Sequence, residues 1–269
     1  MADAAIALQD VYRLFPAPGR AGEDVFVALA GVDLQVGRGE FLTLLGPSGC
    51  GKSTVLNLVA GLMAPTRGEV RCDGRPVAGL NRAVGYITQD DNLLPWRTLM
   101  ENVELALEFR GMPREERRRC CAALLDQVGL QGFEGHYPHQ LSGGMRKRAA
   151  IVRTLAYDPA IILMDEPFGP LDAQTRLILQ DQLLRLWEGS GRTIVFVTHD
   201  IVEAIALSDR VAILSAAPGR LKALHPIPIR RPRDVFHIHA EGAFPALFDK
   251  IWSELREELA GGLSRGGTR

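Results

Sequence analysis

The stretch Gly46–Thr54, GPSGCGKST, restricts what this chain can fold into more than any other segment. It fits G-x-x-x-x-G-K-[ST], with Gly46, Gly51, Lys52 and Ser53 in the fixed places and Pro47, Ser48, Gly49 and Cys50 between them. Four fixed positions meet by chance in on the order of one chain per hundred of this length, so coincidence is a poor account. The flanks agree. Glu40–Leu45 (EFLTLL) is an apolar run of strand length, and Val55–Val59 (VLNLV) continues helically after Thr54. Strand, glycine loop and helix in that order aim successive backbone amides and a helix N-terminus at one point, which is a cradle for phosphates. In such a cradle Lys52 reaches the terminal phosphates of a nucleotide and the Ser53 hydroxyl takes one position on Mg²⁺. A simple glycine-rich turn leaves the Gly-Lys-Ser triplet unexplained.

The 269 residues, 46% of them hydrophobic, suit one large α/β domain or a core with a subdomain. A formal net charge of −1 argues against a general nucleic-acid binder. No apolar run approaches the ~18 residues that span a bilayer, and the N-terminus lacks the basic and apolar parts of a secretory signal, which predicts a cytosolic chain. Cys50, Cys72, Cys120 and Cys121 form no C-x-x-C pair and read as reduced structural thiols; alkylation of Cys50, inside the phosphate loop, would block nucleotide. His136 with His139, and His237 with His239, have metal-like spacing but no cysteine or carboxylate grouping to complete a site.

Strand patterns cover Ala5–Leu14 and Val25–Val36, separated by a turn-rich loop over Pro16–Asp24. Asp73-Gly74 marks a hairpin between Gly68–Cys72 and Arg75–Val77, and Val84–Thr88 is a further short strand. From about residue 92 to 157 the texture turns helical, with helices expected over Thr98–Phe109, Arg114–Val128 and Leu141–Ala156; Arg117–Arg119 reads as a solvated helix face. Buried-type strands follow at Ala160–Met164 and Thr193–Thr198, with a leucine-rich helix, Thr175–Trp187, between them and a strand at Val211–Leu214. The tail from Arg220 is less regular. Within it Phe244, Leu247, Phe248, Ile251, Trp252, Leu255 and Leu259 recur at helical spacing and predict an amphipathic helix packed on the core. These patterns predict a core domain over 1–220, a helical part over about 92–157 inserted in it, and a short extension over 221–269.

A phosphate loop needs a second metal-side carboxylate and a group that orients water. Asp165 and Glu166, after the apolar run Ile161–Met164, offer both at one strand end. Asp165 would hold Mg²⁺, and Glu166, on the opposite side of an extended chain, would polarise the attacking water. The most discriminating segment is LSGGM, Leu141–Met145. Ser142 stands at a helix N-cap, and Gly143 and Gly144 leave the amides open, so this is a second anion-binding helix end. Two phosphate sites in separate parts of one chain suggest that two chains share each nucleotide.

With these motifs the chain resembles the ATP-binding subunit of an ABC transporter, over about residues 5–214. The resemblance implies an α/β fold with a P-loop NTPase core, an antiparallel β subdomain and an inserted helical subdomain. It implies ATP and Mg²⁺ as ligands and a head-to-tail homodimer in which Ser142, Gly143 and Gly144 of one copy contact the nucleotide on the phosphate loop of the other. Gln89 matches the glutamine that senses Mg²⁺ and the attacking water. Asp172, in Gly169-Pro170-Leu171-Asp172, matches the loop aspartate that crosses the dimer interface. His199 matches the histidine that contacts the γ-phosphate, and Phe15, with Tyr12 second, matches the aromatic that stacks on adenine. Met145 and Pro170 depart from the commoner glutamine and alanine without removing a reacting group. Leu93–Thr98 (LLPWRT) and Arg231–Asp234 (RPRD) resemble the nitrate, sulfonate and taurine importer subfamily. That subfamily implies two permease subunits, a periplasmic solute-binding protein and a peripheral place on the cytoplasmic face of the inner membrane. Export of lipid or drug stays open, as does a non-transport ABC-type ATPase. A small-molecule kinase or GTPase would not need LSGGM, and the N-K-x-D guanine motif is absent.

Overall fold

The computed structural model describes residues 4–16 and 25–265, the last six of these by backbone alone. After Pro16, the expected turn-rich loop therefore lies outside the described residues.

β1 (Ala4–Pro16) and β2 (Val25–Gly37) pair antiparallel, with Val11 opposite Val32 and Phe15 opposite Phe26. β3 (Phe41–Leu45) runs into the glycine loop and α1 (Lys52–Val59). β4 (Arg67–Cys72) and β5 (Arg75–Pro76) close a hairpin on Asp73 and Gly74, whose φ values of 50° and 75° suit a two-residue turn matched to strand twist. With β1 and β2 they make a four-stranded antiparallel sheet in the order β2-β1-β4-β5. β6 (Val84–Ile87) leads to three helices: α2 (Leu99–Phe109), α3 (Arg114–Gln127) and α4 (Gly143–Leu155). The chain then runs through β7 (Ile161–Asp165), α5 (Ala173–Trp187), β8 (Thr193–Thr198), α6 (Ile201–Leu207), β9 (Arg210–Leu214), β10 (Leu221–Pro226) and α7 (Phe244–Arg265). The main sheet has the order β10-β9-β3-β8-β7-β6, parallel except for β10.

The central strands are apolar on both faces because both are covered. Phe41, Leu45, Ile162, Met164, Ile194 and Phe196 face a core shared with α5, α6 and α7. Leu42, Leu44, Leu163, Val195 and Val197 face the second core, filled by α1 and the antiparallel sheet. Each such fully buried side chain contributes roughly 1.5–3 kcal/mol. A third cluster, built on Leu99, Val103, Leu125, Leu130 and Val152, belongs to the helical subdomain.

Several expectations need correction. Leu221–Pro226 is not irregular: it adds an antiparallel edge to β9. Being half-exposed, it lacks the clean apolar alternation that marks a strand in sequence. α6, of seven residues, went unread because it is too short to display a helical period. Arg117 is not a solvated charge, since its Nε lies 2.9 Å from the carboxylate of buried Glu104. In α7 Phe244, Ile251 and Leu255 are buried, but Trp252 and Leu259 stay 43% and 40% exposed at the edge of the apolar stripe.

Candidate nucleotide site

The glycine loop is held by geometry that only small residues allow. Gly51 has φ 98°, and a methyl group there would lie 2.6 Å from Leu29 Cδ2. A methyl on Gly46 would lie 2.8 Å from Cys50 Sγ and 2.9 Å from the Leu214 carbonyl oxygen. Gly51 offers no side-chain cap to α1, so the amides of its first turn have no intrahelical partner and present partial positive charge. Lys52 is buried and donates from Nζ to the carbonyls of Gly46 (2.8 Å) and Pro47 (2.9 Å). The thiol of Cys50 is fully buried, and burial raises its pKa, so its surroundings disfavour the alkylation that would block nucleotide.

A cavity of about 250 Å³ opens over this loop, lined by Phe15, Ser48, Gly49, Lys52, Ser53, Thr54 and Glu166 among others. Phe15 lines this cavity, with the guanidinium of Arg13 4.6 Å from its ring centroid. Tyr12 instead lies under Arg67 and is not among the cavity residues. Phe26, which the sequence reading passed over, lines the same cavity. Its signal is its pairing opposite Phe15, which is invisible until the register of β1 and β2 is known.

Asp165 ends β7, with the Ser53 side chain near enough to lower the pKa of its carboxyl. Burial holds its carboxyl above the usual range, the Ser53 hydroxyl pulls it back, the neighbouring Glu166 charge pushes it up, and Lys52 and Tyr86 pull it down. The uncapped helix end, the buried ammonium and the Ser53–Asp165 pair fit a triphosphate carrying Mg²⁺, an ion that takes one or two protein oxygens plus phosphate oxygens. Glu166 does not continue the strand: its φ is 42° and its amide donates to the Val197 carbonyl at 3.0 Å. That left-handed turn, and not strand alternation, sets its direction. Glu166 Oε2 lies 3.2 Å from His199 Nδ1, and His199, 65% exposed, follows β8 directly. Gln89 is close by, since a methyl on Gly169 would lie 3.8 Å from Gln89 Nε2 and 4.0 Å from Glu166 Oε2. Its backbone is fixed by Lys147 of α4, which donates from Nζ to the carbonyls of Gln89 (2.7 Å) and Thr88 (3.2 Å).

Other members of the predicted set stand apart from the loop. Ser142 caps α4 by accepting from the Met145 amide at 3.3 Å, and Ser142 and Gly143 are exposed. Neither these residues nor Gly144 lines the cavity over the phosphate loop. Asp172 caps α5, and the Thr175 side chain and amide hold its carboxyl below the usual range. The histidines with metal-like spacing have other neighbours: Phe133 packs against His136 and Tyr137 stacks on His139, while Asp234 pairs with His237 at 2.7 Å and His239 lies edge-on to Phe244.

The sequence profile of the family described as ABC transporter matches residues 29–169. The chain is 52% identical to an uncharacterized ABC transporter ATP-binding protein of Methanocaldococcus jannaschii, over 86% of this chain and 85% of that one. It is 48% identical to the taurine import ATP-binding protein TauB of Yersinia pestis, over 72% and 76%. Among solved structures it is similar to a dimeric ATP-binding cassette in a post-hydrolysis state bound to ADP and Pi, with a TM-score of 0.73, 36% identity, and coverage of 84% of this chain and all of that one. The chain belongs to the ABC transporter family, as one of its ATP-binding, ATP-hydrolysing subunits.

Proposed function

We propose that this subunit energises an importer for a small anion such as nitrate, a sulfonate or taurine. In this reading it works as a two-fold homodimer at the cytoplasmic face of the inner membrane, with Mg²⁺ as cofactor, two permease subunits as direct partners and a periplasmic solute-binding protein as an indirect one. The observation that carries the reading is the grouping of Lys52, Ser53, Asp165, Glu166, Gln89 and His199 around one loop, while the Ser142 helix end opens elsewhere on the surface. A site so divided is completed by a second copy, in an isologous pair.

Each residue then has a defined task. The amides of residues 48–54 and Lys52 bind the phosphates, and Phe15 stacks on the base. Ser53 and Asp165 would hold Mg²⁺, with Gln89 beside it; the ion supplies neutralisation of charge on the phosphate oxygens. Glu166 takes the proton of the attacking water, and His199, hydrogen-bonded to Glu166, faces the γ-phosphate. Ser142, Gly143 and Gly144 of the partner close the site, with Asp172 crossing between copies. Among the described residues no helix is long and apolar enough to cross a membrane. Two exposed aromatics support docking to a permease: Trp96 is 71% exposed and Phe109 83%. Trp96 stands on a rigid segment, because Asn102 binds the amide of Leu94 and the carbonyls of Leu94, Arg97 and Thr98. Phe109 rims a groove of about 230 Å³ with Tyr86, Leu105 and Tyr157. We read residues 1–220 as the ATPase domain and 221–269 as an extension fused to its core through β10 and α7.

Glu166→Gln should keep ATP binding and lose about 10²–10⁴ in turnover; unchanged turnover removes Glu166 from its role. In proteoliposomes with the permease, taurine, nitrate or an alkanesulfonate, presented with the binding protein at the outer face, should raise ATP hydrolysis. Stimulation instead by a lipid or drug from the cytoplasmic side makes the system an exporter.

A further inference from the structure

One guanidinium, that of Arg176, bridges two loops of the site. Arg176, in the first turn of α5, donates from Nη2 to the Leu171 carbonyl at 3.0 Å, beside Asp172. Its Nη1 lies 3.6 Å from Asp200 Oδ2, and its Nε lies 3.9 Å from Glu203 Oε1. That Nε is buried and has no hydrogen-bond partner among the described residues, so the geometry is drawn tight on one side only. The two carboxylates it faces fix the ends of the segment that carries His199. Asp200 accepts from the amides of Val202 and Glu203, and Glu203 accepts from Thr198 Oγ1 at 2.5 Å. Thr198 Oγ1 in turn accepts from the Asp200 amide at 3.0 Å. His199 sits between these two held residues. A cavity of about 20 Å³, a size for one water molecule, is lined by Arg176 together with Glu166, Gly169 and His199.

We infer that Arg176 is a positioning residue that ties the loop carrying Asp172 to the segment carrying His199, so that engagement of Asp172 by a second copy holds the imidazole where it already stands, 3.2 Å from Glu166. The inference rests on the dimeric ATPase reading given above. A guanidinium suits the task because its planar fork donates to the Leu171 carbonyl while its charge lies 3.6 and 3.9 Å from two carboxylates, a spread that a lysine ammonium matches only in part. Gln180 Nε2 holds Glu203 Oε1 at 2.9 Å, so the carboxylate stays in place when the arginine is changed.

The test is steady-state ATP hydrolysis by the full chain. Arg176→Ala should lower kcat about tenfold to a hundredfold, the scale of a catalytic group misplaced by an ångström, with KM for ATP changed less than about twofold. Arg176→Lys should recover part of the loss, and it is the variant to read if Arg176→Ala does not fold. Asp172→Ala should lower kcat in the wild-type background and add little to Arg176→Ala, because both cut one connection. Wild-type kcat in Arg176→Ala, a rise confined to KM, or losses that multiply in the double variant would each overturn the inference. If Glu166→Gln also keeps its turnover, the reading of the site fails; if Glu166→Gln is inactive while Arg176→Ala is not, only the role of Arg176 fails.

Discussion

At the scale of single residues, Asp165 is held at a cost that the site exploits. Its carboxyl is raised by burial, so the folded chain binds its proton more tightly than the unfolded chain does. That contribution to stability is present at pH below the ordinary carboxylate range and is lost as pH rises through the raised folded value. Asp165→Asn should therefore melt above wild type at neutral pH without nucleotide, and the difference should shrink as pH falls. A thermal scan over pH checks this; an Asp165→Asn protein less stable than wild type at neutral pH contradicts it. Gly51→Ala is the opposite case. With φ 98° and Leu29 Cδ2 at 2.6 Å, it should destabilise by about 1–3 kcal/mol or more in urea unfolding, and lower the affinity for ATP as the loop shifts. Lys52, Ser53, Asp165 and Glu166 were legible in sequence because phosphate chemistry dictates their types and spacing. Arg176 and Lys147 were not. They act on backbone carbonyls and on carboxylates distant in the chain, and no spacing rule marks such a partner.

At the scale of elements, α4 joins the two ends of the proposed mechanism. Its N-terminus is the Ser142 cap, and its body grips residues 88–92: Lys147 on two carbonyls, Arg146 on Asp91 at 3.0 Å, and Arg153 on the carbonyls of Asn92 and Asp91. Burial lowers the pKa of Lys147, and Asp91 and Asp90 oppose that shift. Lys147→Met keeps the stem but leaves the partly buried carbonyls of Thr88 and Gln89 without their donor, and should cost about 0.5–1.5 kcal/mol in urea unfolding while lowering turnover through Gln89. A variant of wild-type stability and turnover would free α4 from this role. The tail motif RPRD acts at the scale of elements. Arg233, in a segment that sequence marks only by a subfamily resemblance, points inward and donates to the carbonyls of Ile205, Ala206, Ser208, Ile227 and Ile229, closing the C-terminal end of α6. Arg231 pairs with Asp209 and Glu188. Strands and long helices were readable from their periods, and Asp73-Gly74 from its turn chemistry. α6 and β10 escaped because a short helix and an edge strand are defined by what they pack against.

At the scale of the whole molecule, the sequence indicated the layered α/β core and the inserted helices, and the proposal of a shared site rests on its second anion-binding helix end. What it left out is how the extension is fastened. β10 joins the main sheet, Lys222 lies 2.7 Å from Glu257, and His225 Nε2 lies 2.9 Å from Glu254 Oε2. Such pairings follow from three-dimensional register alone. The central claim is that ATP joins two copies, each supplying a different surface. Analytical ultracentrifugation of Glu166→Gln with and without ATP tests it most directly. The account predicts monomer without nucleotide and a dimer holding two ATP with it, and monomer again when Ser142→Arg is added. A monomer that binds one ATP per chain and stays monomeric at saturation would contradict it.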